Sequence, residues 1–319
     1  MTSIAAAVDV QVKSVLVAFD FSEASSKPLR HALAIARHFA AKFHLLHVVS
    51  SMGYTIAGPD ALHLAVDAIR RDMQKLQQQL LASGALGGLE SEFILRDGSV
   101  WEQLEEVIRE KHVDVVVVGT HGRGGLGKLL LGSVAEKIFR NAGCFVVTVG
   151  PCSYEDALMN KAQPVRPFLF PTDFSAASLK ALPYAVAFAN QFGARLVLLN
   201  VQPAAPIPQG FHWSRTGDLQ QMREEARRVI QGRLEKLMEQ TGTMGRRPEL
   251  MVRFGIVSEQ ILQASHELKA DLVVLGLKEP THRESSHMPW AAAYKVVCGA
   301  RCPVLSIRSQ NKRGELEAQ

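Results

Sequence analysis

The chain has 319 residues, of which 47% are hydrophobic and 21% are charged. This length predicts roughly two domains, each able to bury its own core, and the balance argues against long disordered regions. The formal net charge of +5 leans basic, but Lys and Arg are interspersed with Asp and Glu in stretches such as REEARRVIQGRLEK (Arg223 to Lys236). That pattern is typical of a solvated helix face, so no nucleic-acid partner is expected.

Cysteine usage and hydropathy indicate the compartment. The four cysteines do not form the dense framework of a secreted, disulfide-rich protein. No apolar run approaches the roughly 20 residues that a membrane span needs, and the opening MTSIAAAVDV lacks the basic start and long apolar core of a signal peptide. We expect a cytoplasmic protein with no membrane partner.

Short apolar runs alternate with amphipathic stretches along the first half of the chain. The run from Val115 to Val118 is unbroken, as a strand buried on both faces would be, and apolar residues recur at helical spacing from Leu29 to Ala40 behind a Ser-rich start. This alternation predicts a parallel sheet with helices on both faces and right-handed crossovers. The predicted strands are Ser14 to Asp20, Phe43 to Val49, Glu90 to Arg96, Val113 to Gly119 and Phe145 to Val149.

The second half of the chain repeats the first. VLVAFDFSEASSKPLRHALAIARHFAAKFHLLHVV returns as FLFPTDFSAASLKALPYAVAFANQFGARLVLLNVQ, which pairs Asp20 with Asp173. Later, HVDVVVVGT is echoed by KADLVVLGL in the same order. The repeat predicts two tandem domains, at residues 1–152 and 167–319, with a linker at residues 153–166.

A glycine-rich stretch, GTHGRGGLGKLLLGS, runs from Gly119 to Ser133 and fits two phosphate-loop templates. A dinucleotide fingerprint should follow the first strand and find an acidic residue at the end of the next, but this stretch follows the fourth strand and FVVTVGP ends without an acid. A Walker A loop needs Ser or Thr after its Lys to hold magnesium, and Leu129 stands there instead. Both templates therefore fail on chemistry.

The longer spacing G-x2-G-x9-G-S resembles the ATP-binding signature of the universal stress protein family. The resemblance extends to VAFD-x-S at the first strand, LLHVV at the second and DGSVWEQL before the third helix, and it covers nearly the whole chain as two copies. It implies an α/β fold of two tandem Rossmann-like domains of the adenine nucleotide alpha hydrolase-like type. Each domain is expected to contain a five-stranded parallel sheet with helices on both faces.

The family resemblance also implies a ligand, ATP with magnesium as a candidate companion ion. Asp20 would accept a hydrogen bond from the ribose, the backbone of Val48 would meet the adenine edge, and the glycines and the following helix start would hold the phosphates. Glycines expose backbone N–H groups, and a helix N-terminus favours anions, which agrees with this placement. The implied contact residues are Asp20, Val48, Gly119, Gly122, Arg123, Lys128, Gly132, Ser133 and Val134.

Simpler structural roles compete with these assignments. Asp20 or Ser22 can cap the first helix, and Ser133 can serve as an N-cap of its own helix. Lys128 on a surface loop can be merely solvated, and a buried strand would choose Val at position 48 in any case.

The second half departs from the signature where phosphates would bind. Glu279 takes the place of Gly122, while Pro289 and Trp290 fall where Gly132 and Ser133 should be. A carboxylate repels phosphate and an indole blocks backbone approach, so nucleotide is expected in the first domain only. A zinc site built from His282, His287, Cys298 and Cys302 lacks a familiar finger spacing, and no metal site is expected.

Three functions follow from these patterns. The first is a stress-response protein that binds ATP in its first domain and uses occupancy to change a surface read by protein partners; the second is an interaction scaffold without nucleotide. The third is an enzyme, a slow ATPase or a nucleotidyl transferase, but no nucleophile with its base lies at the loop and no catalytic residue is assigned. The family resemblance implies that the apolar last strands, CFVVTVG and CPVLSIRS, lie at sheet edges that pair across a dimer. In a tandem chain we therefore expect the two halves to pair as a pseudo-dimer, with a homodimer as a further association.

Overall fold

Strands and helices alternate through both halves of the chain. The computed structural model describes residues 8–50, 59–120, 131–153, 166–203, 216–240, 247–278 and 289–308. The first half contains β1 (Ser14–Ala18), α1 (Ser26–Phe39), β2 (Lys42–Val49), α2 (Pro59–Ala82), β3 (Ser91–Asp97), α3 (Val100–Glu110), β4 (Val115–Gly119), α4 (Ser133–Asn141) and β5 (Phe145–Val149). The second half contains β6 (Phe168–Pro171), α5 (Ala176–Gln191), β7 (Leu196–Gln202), α6 (Thr216–Gln240), β8 (Glu249–Phe254), α7 (Val257–Glu267), β9 (Leu272–Leu277), α8 (Pro289–Gly299) and β10 (Val304–Arg308).

The described strands form one ten-stranded sheet in the order β3-β2-β1-β4-β5-β10-β9-β6-β7-β8. Within each half all neighbours are parallel, and the two halves have the same internal order. The predicted α/β fold with five parallel strands in each half is therefore confirmed. None of the helices in the described ranges combines the length and the apolar character needed to cross a membrane.

The two halves meet where β5 and β10 pair antiparallel. Val147 lies opposite Leu305, with Val146 opposite Ser306 and Thr148 opposite Val304. Leu305 follows Val147 by 158 positions, which is also the separation between Cys144 and Cys302. A residue thus faces its own repeat equivalent, so an approximate twofold axis passes through this pair. The predicted pairing of the last strands into an intrachain pseudo-dimer is confirmed.

Each face of the sheet carries its own buried core. On one face the core includes Leu29 of α1, Met73 of α2, Leu182 of α5 and Leu234 of α6. The other face is covered by α3, α4, α7 and α8, which bury Leu104, Ile138, Ile261 and Val296, respectively. Alternate residues of the buried strands feed the two cores, which is why these strands read as continuous apolar runs.

Aromatic rings join the two halves beneath α1 and α5. The His38 ring stacks on Phe192 at 3.9 Å between centroids, and Phe39 meets Phe188 edge to face at 6.0 Å. Phe188 also meets the Phe145 ring of β5 at 5.5 Å. Offset and edge-to-face pairs of this kind add to simple area burial, so the junction resembles the interior of one domain.

Strand β1 ends two residues earlier than predicted, at Ala18 rather than Asp20. The cause is a sharp turn at Phe21, whose φ of 61° lies in the left-handed region. Phe174, the repeat equivalent, adopts the same turn with a φ of 59°. This turn carries Asp20 and Asp173 away from the sheet and toward the first turn of the following helix.

Candidate functional site

The sheet order reverses between β1 and β4 in the first half. From β1 the chain proceeds to β2 on one side, while β4 lies on the other, so the loops after β1 and β4 leave in opposite directions. Such a switch point opens a crevice at the carboxyl ends of the strands, which is where ligands bind in open α/β sheets. Asp20 follows β1 and Gly119 ends β4, so both lie at this edge.

The Asp20 carboxylate organises the turn after β1. Its Oδ1 accepts hydrogen bonds from the Ser22 backbone N–H at 2.9 Å, the Ser22 hydroxyl at 2.6 Å and the Ser25 hydroxyl. Ser22 itself makes no side-chain capping bond to the helix that follows. The half-buried carboxylate is therefore held at the crevice in one orientation. Sequence reasoning missed Ser25, although its recurrence as Ser178 in the repeat was a signal for it.

The second half builds nearly the same turn around Asp173. Its Oδ1 accepts from the Ser175 backbone N–H at 2.9 Å and from the Ser178 hydroxyl at 3.0 Å. Burial raises the pKa of this carboxyl, but hydrogen bonds from Ser175 and Ser178 outweigh it, so the Asp173 pKa lies below its usual range. Here Ser175 does cap the helix, because its hydroxyl accepts from the Ser178 N–H at 3.3 Å. A turn repeated in both halves has a structural role in addition to any role in binding.

The end of β2 directs a backbone edge into the same crevice. Leu46 O accepts from the Phe19 N–H at 2.9 Å, whereas Val49 O faces the other way and accepts from Gly98 N–H at 3.0 Å. The backbone N–H and C=O groups of successive strand residues point to opposite sides, so those of Val48 point to the same side as those of Leu46, toward β1. Strand β1 has already ended at this level of the sheet, so the Val48 groups face the crevice. The contact between the Val48 backbone and a base, which the family resemblance implies, stays a prediction.

A buried histidine beside Val48 escaped the sequence reasoning. His47 Nδ1 lies 2.7 Å from the Phe19 carbonyl oxygen, and its ring meets Phe21 edge to face at 5.0 Å. Asn200, the repeat equivalent, donates from Nδ2 to the Thr172 carbonyl at 2.7 Å. Both side chains hold the carbonyl that precedes the aspartate, so they fix the position of the turn.

Gly276, the residue before the last of β9, shows why a small residue is needed near this strand end. A Cβ on Gly276 would lie 2.7 Å from the Ala177 carbonyl oxygen and 2.8 Å from Ser178 Cα. Both atoms belong to the first turn of α5 and have little room to move. Gly119 occupies the equivalent place in the first half, at the end of β4.

The start of α4 lies beside the end of β4. The Gly132 N–H donates to the Thr120 carbonyl at 2.8 Å, and Thr120 N–H donates to Val149 O at 3.0 Å. Gly132 is the N-cap, so Ser133 is the first helical residue and not the N-cap that the alternative interpretation allowed. Ser133 is exposed and Val134 is half-buried at this helix start, where unpaired N–H groups and the helix dipole favour an anion.

Three predicted contacts, Gly122, Arg123 and Lys128, lie outside the described residues, as do His282 and His287 of the zinc alternative. Across the part of the chain that the structure describes, His, Cys, Asp and Glu form no group of three that could hold a metal ion. Cys298 is buried, and this burial raises the pKa of its thiol, which disfavours the thiolate that zinc would require.

The corresponding helix start in the second half lacks the glycine and serine. Counting back from the paired cysteines, Gly132 lies 12 positions before Cys144, and Trp290 lies 12 positions before Cys302. The alignment of the two halves thus shifts by one residue from the one based on the sequence. Trp290 now takes the place of Gly132, and Ala291 takes the place of Ser133. Helix α8 begins at Pro289, two residues earlier than α4 does in this register. The divergence of the second half is unchanged by this correction.

Comparison with known proteins agrees with the repeat and the sheet. The model of the universal stress protein family matches residues 11–150 and 164–308. Universal stress protein YxiE of Bacillus subtilis is 30% identical over 145 residues, 42% of this chain and 96% of its own. Universal stress protein MJ0531 of Methanocaldococcus jannaschii is 27% identical over 138 residues, 43% of this chain and 81% of its own.

Solved structures show the same two-half architecture. A universal stress protein from Archaeoglobus fulgidus superposes with a TM-score of 0.64 at 19% identity, covering 93% of this chain and 97% of its own. A protein of unknown function, PA1789 from Pseudomonas aeruginosa, gives a TM-score of 0.61 at 16% identity, covering 94% of each chain. These two similarities support the fold, and the family match covers both repeats. The chain is a member of the universal stress protein family with two such domains in tandem.

Proposed function

We propose that the first domain binds an adenine nucleotide, ATP in particular, in the crevice between β1 and β4. The observation that carries this proposal is the meeting of three elements at one sheet edge: the fixed Asp20 carboxylate, the Val48 backbone and the start of α4. A sugar hydroxyl, a base edge and a phosphate chain require an acceptor, a backbone edge and an anion site of these kinds.

Each part of the nucleotide has a candidate partner. The Asp20 carboxylate would accept from the ribose hydroxyls, because its orientation is already fixed by two serines. The Val48 backbone would pair with the adenine edge, and Ser133 and Val134 would offer N–H groups to the phosphates. Gly132, whose own N–H is bonded to Thr120 O, would leave room beside them because it has no side chain. Gly122, Arg123 and Lys128 of the signature would complete the phosphate contacts, with magnesium as a companion ion.

We further propose that occupancy of this site changes a surface that cytoplasmic protein partners read during stress. The described site offers orientation and charge but neither an activated nucleophile nor paired carboxylates for magnesium, so binding rather than rapid turnover is the expected activity. Slow hydrolysis of ATP would be compatible with this arrangement.

The repeat supplies a matched pair of variants for testing the nucleotide site. Asp20→Ala removes the proposed ribose acceptor, and Asp173→Ala removes the same turn-forming carboxylate from the half whose signature has diverged. We expect Asp20→Ala to weaken ATP binding at least about tenfold, the value of one hydrogen bond to a charged group, and Asp173→Ala to leave it unchanged. Calorimetric titration with ATP and magnesium measures both affinities.

Asp20→Ala and Asp173→Ala lose equivalent contacts in their turns, so urea unfolding should show a similar decrease in the free energy of unfolding for both variants. Wild-type affinity in Asp20→Ala, or an equal loss in both variants, would contradict the proposed ribose contact. Absence of ATP binding by the wild-type chain would favour the interaction scaffold without nucleotide.

A further inference from the structure

The second half of the chain holds helix α4 of the first half at both ends. Before the helix, the Leu131 backbone N–H donates to the Tyr294 hydroxyl of α8 at 3.0 Å. Near the helix end, the Arg308 guanidinium donates to the Phe139 carbonyl and also to the Lys278 carbonyl at 3.1 Å. We call Tyr294 and Arg308 the α4 clamp.

Tyr294 acts at the point where the chain enters α4. Leu131 is buried, and the next residue, Gly132, donates its N–H to the Thr120 carbonyl at 2.8 Å. Two successive backbone N–H groups are therefore fixed, the first by the second half and the second by the end of β4. Their positions set the direction in which the N–H groups at the start of α4 point.

Arg308 acts at the opposite end of the helix. The last carbonyls of a helix have no partner within it, and Arg308 satisfies that of Phe139 from a buried position. The same guanidinium binds Lys278, the last described residue after β9. One side chain thus connects the end of α4 to the segment that leaves β9 in the second half.

Only α4 is held by a clamp from the other half, because the repeat equivalents of the clamp residues cannot make the same bonds to α8. With the 158-position separation of Cys144 and Cys302, Leu131 corresponds to Pro289, Tyr294 to Glu136 and Arg308 to Gly150. Proline has no backbone N–H to donate, and glycine has no side chain to reach a carbonyl. Glu136 instead pairs with Arg140 at 2.9 Å within α4. The second half therefore holds α4 through contacts that α8 does not receive in return.

We infer that Tyr294 is a positioning residue for the nucleotide site of the first half, through which the second half sets phosphate affinity there. This inference rests on the proposed nucleotide binding and assigns a role to the half whose own signature has diverged. Fixing the Leu131 N–H before ligand arrives lowers the ordering cost of phosphate binding. Tyr294 touches the backbone next to the site and not the nucleotide.

The test compares ligands with and without phosphates on variants that lack one hydroxyl. Tyr294→Phe keeps the ring and removes the hydroxyl that accepts from the Leu131 N–H. Tyr184→Phe is the matched control, because Tyr184 also lies at the junction of the halves, against Phe145 at 5.5 Å on the other sheet face. We expect Tyr294→Phe to weaken ATP binding about fivefold, the value of one neutral hydrogen bond, with adenosine affinity unchanged. Tyr184→Phe should leave both affinities unchanged.

A second readout in the ligand-free protein tests the clamp itself. Amide hydrogen exchange at Leu131, followed by NMR, should be faster in Tyr294→Phe than in the wild type and unaffected in Tyr184→Phe. Unchanged ATP affinity in Tyr294→Phe, or equal losses for ATP and adenosine, would overturn the positioning role. If the wild type binds neither ligand, the proposed function fails, and that failure is visible in the wild-type titration alone.

Discussion

Gly132→Trp should abolish ATP binding without unfolding the protein. Gly132 is the half-buried N-cap of α4, with φ −59° and ψ 148°, a backbone conformation open to any L-residue. An indole there would cover the N–H groups proposed to bind the phosphates, and Trp290 holds the equivalent sequence position in the second half. We expect at least about a 100-fold loss of affinity, or roughly 2.8 kcal/mol.

A nearby glycine provides the control for the bulk of the new side chain. Gly143 is exposed, and a Cβ built on it meets no heavy atom within 4 Å. Gly143→Trp should therefore keep wild-type ATP affinity in calorimetric titration. Circular dichroism and size-exclusion chromatography should show wild-type folding for both variants. Near-normal binding by folded Gly132→Trp would refute the placement of the phosphates at α4.

Phe188→Ala should cause the largest loss of stability at the junction of the halves. Phe188 is 4% exposed and meets two rings of the first half, Phe39 at 6.0 Å and Phe145 at 5.5 Å. Truncating a buried phenylalanine costs about 3–5 kcal/mol, because it removes both buried surface and ring contacts and leaves a cavity. Unfolding in urea, monitored by circular dichroism, measures the loss.

Phe93→Ala is the control for the loss of a ring away from the junction. Phe93 lies on the outermost strand β3, is only half-buried and meets Phe43 at 6.5 Å. Its truncation should cost less than half as much, because less surface leaves water on folding. If Phe188→Ala lowered the free energy of unfolding by less than about 1 kcal/mol, the aromatic contacts between the halves would not form a shared core.

The sequence predicts the architecture well because its signals are local and repeated. Unbroken runs such as Val115 to Val118 mark buried parallel strands, and the second copy of each pattern confirms the reading of the first. The early end of β1 could not be predicted, because a positive φ at Phe21 is unusual for an aromatic residue. Only the packed structure, with Asp20 bonded to two serines, stabilises that turn.

The contacts between halves were the least predictable part of the site. Tyr294 and Leu131 are 163 positions apart, and nothing in either local pattern indicates a bond between them. His47 was likewise hidden within a strand, where a buried polar residue gives no periodic signal. The alternative role of Ser133 as an N-cap is excluded, because the chain uses the adjacent Gly132 as the cap.

Calorimetric titration of the nucleotide-stripped wild-type chain with ATP and magnesium tests the central claim most directly, with stoichiometry as the decisive quantity. The asymmetry between Gly132 and Trp290 predicts one ATP per chain, bound in the first domain. Two ATP molecules per chain would contradict the prediction that the second half binds no nucleotide. No binding would contradict the nucleotide site itself.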